Sequence, residues 1–461
     1  MALKFKNGLV CLGLILFVCL APAQSYVDPY GYVYNPGGDN GLKQTVWQTI
    51  TTAADLNGRA DMLPFYSSYA GWTPWLRPLA DPPQGKLRNL AAIPTKPRFT
   101  LTGKVWPAAP GQASICLWED DKLAAMSLGI DDNEAPDVPF WLALDQSRRY
   151  GKLNLTWNLI VGRGLANYIK GATNVMGTWD LWNKVHSQGY HLASHSMSHA
   201  ADPVAGDGWP GWAWEVAESQ ALLDKYITGQ KTKMHACAGA TVPAFLFLPP
   251  QQGSCQPYRN AIARFANSTR VLNNNEQMIN RANMIDYLNI NALAAAQGRN
   301  FCGPLAKTTA RLENCLDPAS AYYRGWACIF IHWANQGKTW DTDPMYVAYG
   351  KALDFYNQHR DDLWTGFMDD VALYGQERDT ATLTSQIDAG QLQITIQLNS
   401  QMDPATFDYP LTIKVRLPDS WSVVTAAQSG YSIPTQIVNY QGANYALVKA
   451  IPDYGPIVLT P

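Results

Sequence analysis

Between about Ala113 and Tyr374 short apolar runs alternate with segments of helical periodicity, and this alternation constrains the fold of the 461-residue chain more than any other feature. The runs cover 124–130, 153–161, 244–248 and 327–331, and helix-like segments near 178–188 and 212–228 lie between them. Strands that alternate with helices predict a parallel α/β sheet closed as a barrel, with any site at the C-terminal ends of its strands. After Gly375 the period changes: 391–398 and 411–417 alternate apolar with polar residues, and 437–448 and 457–459 follow. These read as half-buried strands of a small β-sandwich over 376–461. Residues 24–112, rich in Pro, Gly, Tyr and Trp with one amphipathic stretch at 42–56, read as an extension wrapping a catalytic domain at 113–375.

With 47% hydrophobic and 16% charged residues the chain is too apolar to be disordered. A net charge of −2 gives no reason to expect a nucleic acid or an anionic membrane as partner. Its 17 Trp and 23 Tyr exceed what cores need, and flat amphipathic rings stack on sugar faces as well as packing. Residues 1–23 read as a secretory signal: Lys4 and Lys6, an apolar run from Leu9 to Leu20, then Ala21-Pro22-Ala23. No later apolar segment reaches spanning length, so the expected product is exported, secreted or periplasmic, without a membrane span. Six cysteines remain after residue 23, and an oxidising compartment favours disulfides. Six cysteines allow 15 pairings, of which short loop closure makes Cys237 with Cys255 and Cys302 with Cys315 the easiest, leaving Cys116 with Cys328.

Asp131 and Asp132 directly follow the run ending at Ile130, where a parallel strand ends and a site would be built. Neighbouring strand residues point to opposite sides, so two carboxylates there can do different jobs, although Asp-Asp-Asn is also good turn chemistry. His195 and His199 share one face of a helical turn at spacing i, i+4, the arrangement by which two imidazoles bind one divalent metal. Two His and one Asp leave a coordination position for water, and the second aspartate could deprotonate that water. His332 ends the run 327–331; it is either an acid for a leaving group or a histidine capping the core.

Together these segments resemble the polysaccharide deacetylases, the NodB-like family called carbohydrate esterase family four. Ser127-Leu128-Gly129-Ile130-Asp131-Asp132-Asn133 looks like its first motif, and 189–199, ending His195-Ser196-Met197-Ser198-His199, like its second. Residues 326–332 look like its late strand ending in histidine, and 361–374 like its closing helix and strand. The resemblance implies a distorted (β/α) barrel that removes N- or O-acetyl groups from an acetylated polysaccharide with zinc or a similar divalent metal. It makes Asp131 the base, Asp132, His195 and His199 the metal ligands, and His332 the acid. In the third-motif segment, Phe247-Leu248-Pro249-Pro250-Gln251-Gln252, Gln251 would supply the amide that binds the oxyanion. The family's arginine partner of the base is absent there, so Arg163 or Arg324 would have to replace it, and Asp286 is the candidate for the fourth motif's aspartate. Asn133 stands where the family has glycine and would adopt the same left-handed turn. Trp333 and Trp364 would either stack on a sugar or close the barrel end. The alternative is a non-catalytic carbohydrate-binding protein on the same scaffold.

Overall fold

The structure is a computed structural model. It describes residues 26–27, 33–34, 82–90, 99, 101–133, 135–161, 177–196, 212–236, 262, 266–272, 279–294, 312–331 and 344–461. The expected signal segment, the amphipathic stretch 42–56 and the expected strand 244–248 lie outside these residues. β1 (Tyr26–Val27) and β2 (Val33–Tyr34) form an antiparallel pair. β3 (Ala113–Ile115) precedes β4 (Ala124–Asp131), β5 (Leu155–Leu159), β6 (His191–Ser194), β7 (Met234–Ala236) and β8 (Ser268–Leu272). β9 (Ile279–Asn280), β10 (Ile290–Ala294), β11 (Trp326–Ile331) and β12 (Leu363–Thr365) complete this part.

β4, β5, β6, β7, β8, β10 and β11 pair in that order, every pair parallel. β11 then returns to β4, with Trp326 opposite Ala125 and Ile331 opposite Ile130, so the pairings close into a barrel. β12 extends the first half of β4, and β9 adds antiparallel to β11. All eight residues of β4 are buried, as expected of a parallel strand covered on both faces. Met126, Leu128 and Ile130 face an outer layer with Trp157 and Leu192. Helices α1 (Val138–Ser147), α2 (Trp179–Ser187), α3 (Trp212–Tyr226) and α4 (Pro344–Gln358) contribute Trp141, Trp182, Leu223 and Leu353 to it. The opposite faces of the strands fill the interior, where Trp326 Nε1 donates to Ser127 Oγ at 3.0 Å. A Cβ on Gly129 would lie 2.9 Å from Met368 Cε and 3.2 Å from Asn158 Nδ2, so the packing there requires glycine. Thr178 caps α2 by accepting from the Leu181 amide at 3.2 Å.

Glu218 of α3 is 1% exposed, and neither carboxylate oxygen accepts a hydrogen bond from a described residue. Burial pushes its carboxyl from the usual 4.5 up to about 8, only partly opposed by Lys225. The folded state therefore holds a proton there that the unfolded chain releases, and the cost of Glu218 grows as pH rises from about 4.5 to about 8. Glu218→Gln should raise the thermal midpoint at pH 8 by about 2–4 °C per kcal/mol recovered and leave it unchanged near pH 4. Equal midpoints for the two proteins at pH 8 would contradict this.

The C-terminal part is a pair of antiparallel sheets. One orders β13 (Thr382–Ile387), β14 (Ile394–Asn399), β20 (Ile457–Thr460), β16 (Thr425–Gln428) and β17 (Tyr431–Ser432). The other orders β18 (Thr435–Tyr440), β19 (Ala443–Ala450), β15 (Leu411–Arg416) and β3, so Ala113–Ile115 pairs with the C-terminal sheet. β14 keeps the expected alternation, but β15 is buried throughout. Its polar face is covered too: Lys414 Nζ bonds Asp121 Oδ2 at 2.6 Å and Val105 O at 2.8 Å, and lies over the Trp106 ring. α5 (Met368–Thr380) is packed between barrel and sandwich, and Arg378, fully buried, donates to Leu117 O and Ala282 O and pairs with Asp379.

The expected pairings of Cys116 with Cys328 and of Cys302 with Cys315 are not formed: Cys116, Cys315 and Cys328 are buried free thiols. Cys328 faces the barrel interior beside Asn280, whereas Cys116 lies between β3 and α5, its carbonyl bonded by Tyr374. Burial pushes all three thiols well above their ordinary range. Cys237, Cys255 and Cys302 lie outside the described residues.

Candidate active site

Asp131 is the last residue of β4 and 1% exposed. Its carboxylate is held from the neighbouring strand β5 and, across the barrel, from β8. Asn158 of β5 donates to Oδ1 at 2.7 Å, and one guanidinium nitrogen of Arg270 on β8 reaches Oδ1 at 2.6 Å and Oδ2 at 2.7 Å. Arg270 is itself 1% exposed, with its guanidinium 4.0 Å over the Phe330 ring. A carboxylate and a guanidinium this deeply buried depend on one another for charge neutralisation.

Asp132 does not point away from Asp131 as alternation in a strand would require. Its φ of 70° and that of 43° at Asn133 place both residues in the left-handed region. Asn133 fixes the turn by donating to Ile160 O at 3.0 Å and accepting from Ile160 N at 2.5 Å, so it does take the turn expected of it. The turn swings Asp132 back so that both aspartates meet one imidazole. His195 Nε2 is 3.5 Å from Asp131 Oδ2 and 3.4 Å from Asp132 Oδ1.

His195 continues the ladder of β6 and does not open a helical turn. Its amide donates to Leu159 O at 2.7 Å, and Ser196 then turns left-handed at φ 73°. Nδ1 of His195 lies 2.9 Å from Ala236 O, and because a carbonyl only accepts, Nδ1 carries the hydrogen. His235, fully buried on β7, stands beside His195 and Arg270; burial first, then those two neighbours, holds it well below its usual range. It is therefore a neutral imidazole in the wall of the site.

Asp131, Asp132 and His195 are thus brought together. His199, Gln251, His332 and Trp333 lie outside the described residues, though Ile331, just before His332, ends β11 beside Ile130. Trp364 pairs with Ala125, six residues before Asp131 and about 20 Å from it along the strand. It packs near Trp118, Tyr374 and Tyr409 at the other end of the barrel, so it is not part of this site. Asp286 closes a turn by accepting from the Leu288 amide at 3.1 Å. Arg324 is committed elsewhere, to the carbonyls of Leu123 and Gly103, and Arg163 lies outside the described residues. The arginine on Asp131 is Arg270, which the sequence reading missed. Its signal was a charged residue inside Ser268-Thr269-Arg270-Val271-Leu272, since an arginine in a barrel strand demands a buried anion.

No family model matches the chain. A gellan lyase from a Bacillus species is 31% identical over 402 residues, 82% of this chain, but the chain spans only 14% of that protein's length. Among solved structures, a mutant of a CE4-family pseudoenzyme aligns over 54% of this chain and 67% of its own, at 8% identity and a TM-score of 0.30. A glycoside hydrolase family 30 subfamily 8 xylanase from Clostridium acetobutylicum aligns over 76% of this chain and 96% of its own, at 9% identity and a TM-score of 0.26.

Proposed function

We propose that this chain is an exported, metal-dependent polysaccharide deacetylase. The observation that carries the reading is the convergence of Asp131, Asp132 and His195 at the C-terminal end of parallel barrel strands. Action on a polysaccharide is further supported by the likeness to a protein named for gellan, over most of this chain.

The donor set fits a divalent metal. With its hydrogen on Nδ1, His195 turns the lone pair of Nε2 towards two carboxylate oxygens at 3.4 and 3.5 Å. Acceptors that face one another in a buried site call for a cation between them. Asp132 and His195 would hold the metal, with His199 from the adjoining segment as the third ligand. A divalent ion held there would supply Lewis acidity for the hydrolysis.

The chain's own residues do the rest. Asp131, kept ionised and oriented by Arg270 and Asn158, takes the proton from the attacking water. Its Oδ2 is the oxygen turned towards His195, the side on which the metal would be held. His332 returns a proton to the departing amine or alkoxide, and the Gln251 amide binds the oxyanion.

Purified protein should release acetate from at least one member of a panel of N- and O-acetylated polysaccharides. Release should fall at least about a hundredfold after chelation and return with zinc. Release that survives exhaustive chelation would reject the metal-dependent reading, and silence across the panel with metal bound would favour a carbohydrate-binding protein.

A further inference from the structure

The end of the barrel opposite Asp131 carries a second group of donor atoms. His191 opens β6, four residues and about 13 Å of extended strand from His195. Asp369 and Asp370 lie in the first turn of α5. Nδ1 of His191 is 2.9 Å from each oxygen of Asp369 and 3.9 Å from Oδ1 of Asp370. One donor atom from each of the three lies within 4.8 Å of the others. Two members are held from outside the group. The imidazole lies flat on Phe367, with ring centroids 3.7 Å apart, and the Thr232 hydroxyl donates to Asp369 Oδ2 at 2.6 Å.

Asp370 is different. No described residue donates a hydrogen bond to its carboxylate, and it lines a cleft of about 360 Å³ with Trp364, Tyr409 and Glu119 and with the cations Lys122, Lys152 and Arg360. A proton on His191 can serve Asp369 but not Asp370 at 3.9 Å. We propose that His191, Asp369 and Asp370 bind a divalent cation whose remaining coordination positions open into this cleft.

A neutral imidazole, two carboxylates and one dication sum to zero charge. One nitrogen and two oxygen donors, without thiolate, suit Mn²⁺ or Zn²⁺. Three protein ligands leave room for water or for an oxygen of a ligand in the cleft. The group shares no residue with the Asp131 site and stands whether or not that site removes acyl groups.

Mn²⁺ binding to the full chain, followed by the loss of the free-ion EPR signal after chelator treatment, tests this. In an Asp132→Asn background, which weakens the donor set at the other end, one equivalent should still bind. Adding Asp370→Asn should weaken it at least about tenfold, and His191→Gln should do the same. Thermal melts should show stabilisation by Mn²⁺ in the Asp132→Asn protein and none after Asp370→Asn, whose metal-free melt verifies that it folds. An Asp132→Asn protein that binds no ion, or binding unchanged by both further substitutions, would overturn the proposal.

Discussion

Arg270→Met is expected to destabilise the fold by about 3–5 kcal/mol and to abolish turnover, although Arg270 lies in none of the sequence motifs. Both partners are close to fully buried: Arg270 has 1% and Asp131 2% of its side chain exposed. Removing the guanidinium takes the buried cation from a carboxylate in the barrel interior, which keeps the Asn158 amide as a donor. That carboxylate must then take up a proton or recruit water, and either outcome removes the oriented base. Methionine fills much of the volume over Phe330, so the loss measures charge compensation more than cavity formation. The double variant Arg270→Met/Asp131→Asn should be more stable than Arg270→Met alone, because the orphaned charge is gone. Denaturant unfolding of the four proteins checks this; additive losses would show that the pair is not coupled.

The barrel was legible because its signals are local. The all-buried run 124–131, the helix at 179–187 with its Thr178 cap, and the strand 326–331 each follow from a few adjacent residues. The aspartate pair at the end of β4 and His195 at the end of β6 could be placed for the same reason. What remained hidden depends on contacts distant in sequence. Arg270 meets Asp131 across 139 positions, and His191 meets Asp369 across 178. The burial of β15 could not be read from its alternation either, because the cover over Lys414 comes from Trp106 and Asp121. Trp364 was misplaced for a related reason: nothing local to 361–374 says at which end of β4 that strand adds. The aspartates show a subtler limit. Strand periodicity separates neighbours, but the two left-handed residues after Asp131 reunite them on one imidazole.

Asp131→Asn should lower acetate release by about 10²–10⁴-fold while leaving the metal bound. Asparagine preserves the shape and can still accept from Asn158, but it cannot take a proton from water. Asp132 and His195 are untouched, so metal content should match that of the wild type, which separates loss of the base from loss of the metal. The most direct test of the account is therefore acetate release by wild type and Asp131→Asn side by side, on the same acetylated polysaccharide and at equal metal occupancy. Release by the wild type alone is the predicted result. Equal release by both would contradict the assignment of Asp131 as the base and, with it, the hydrolytic site at this end of the barrel.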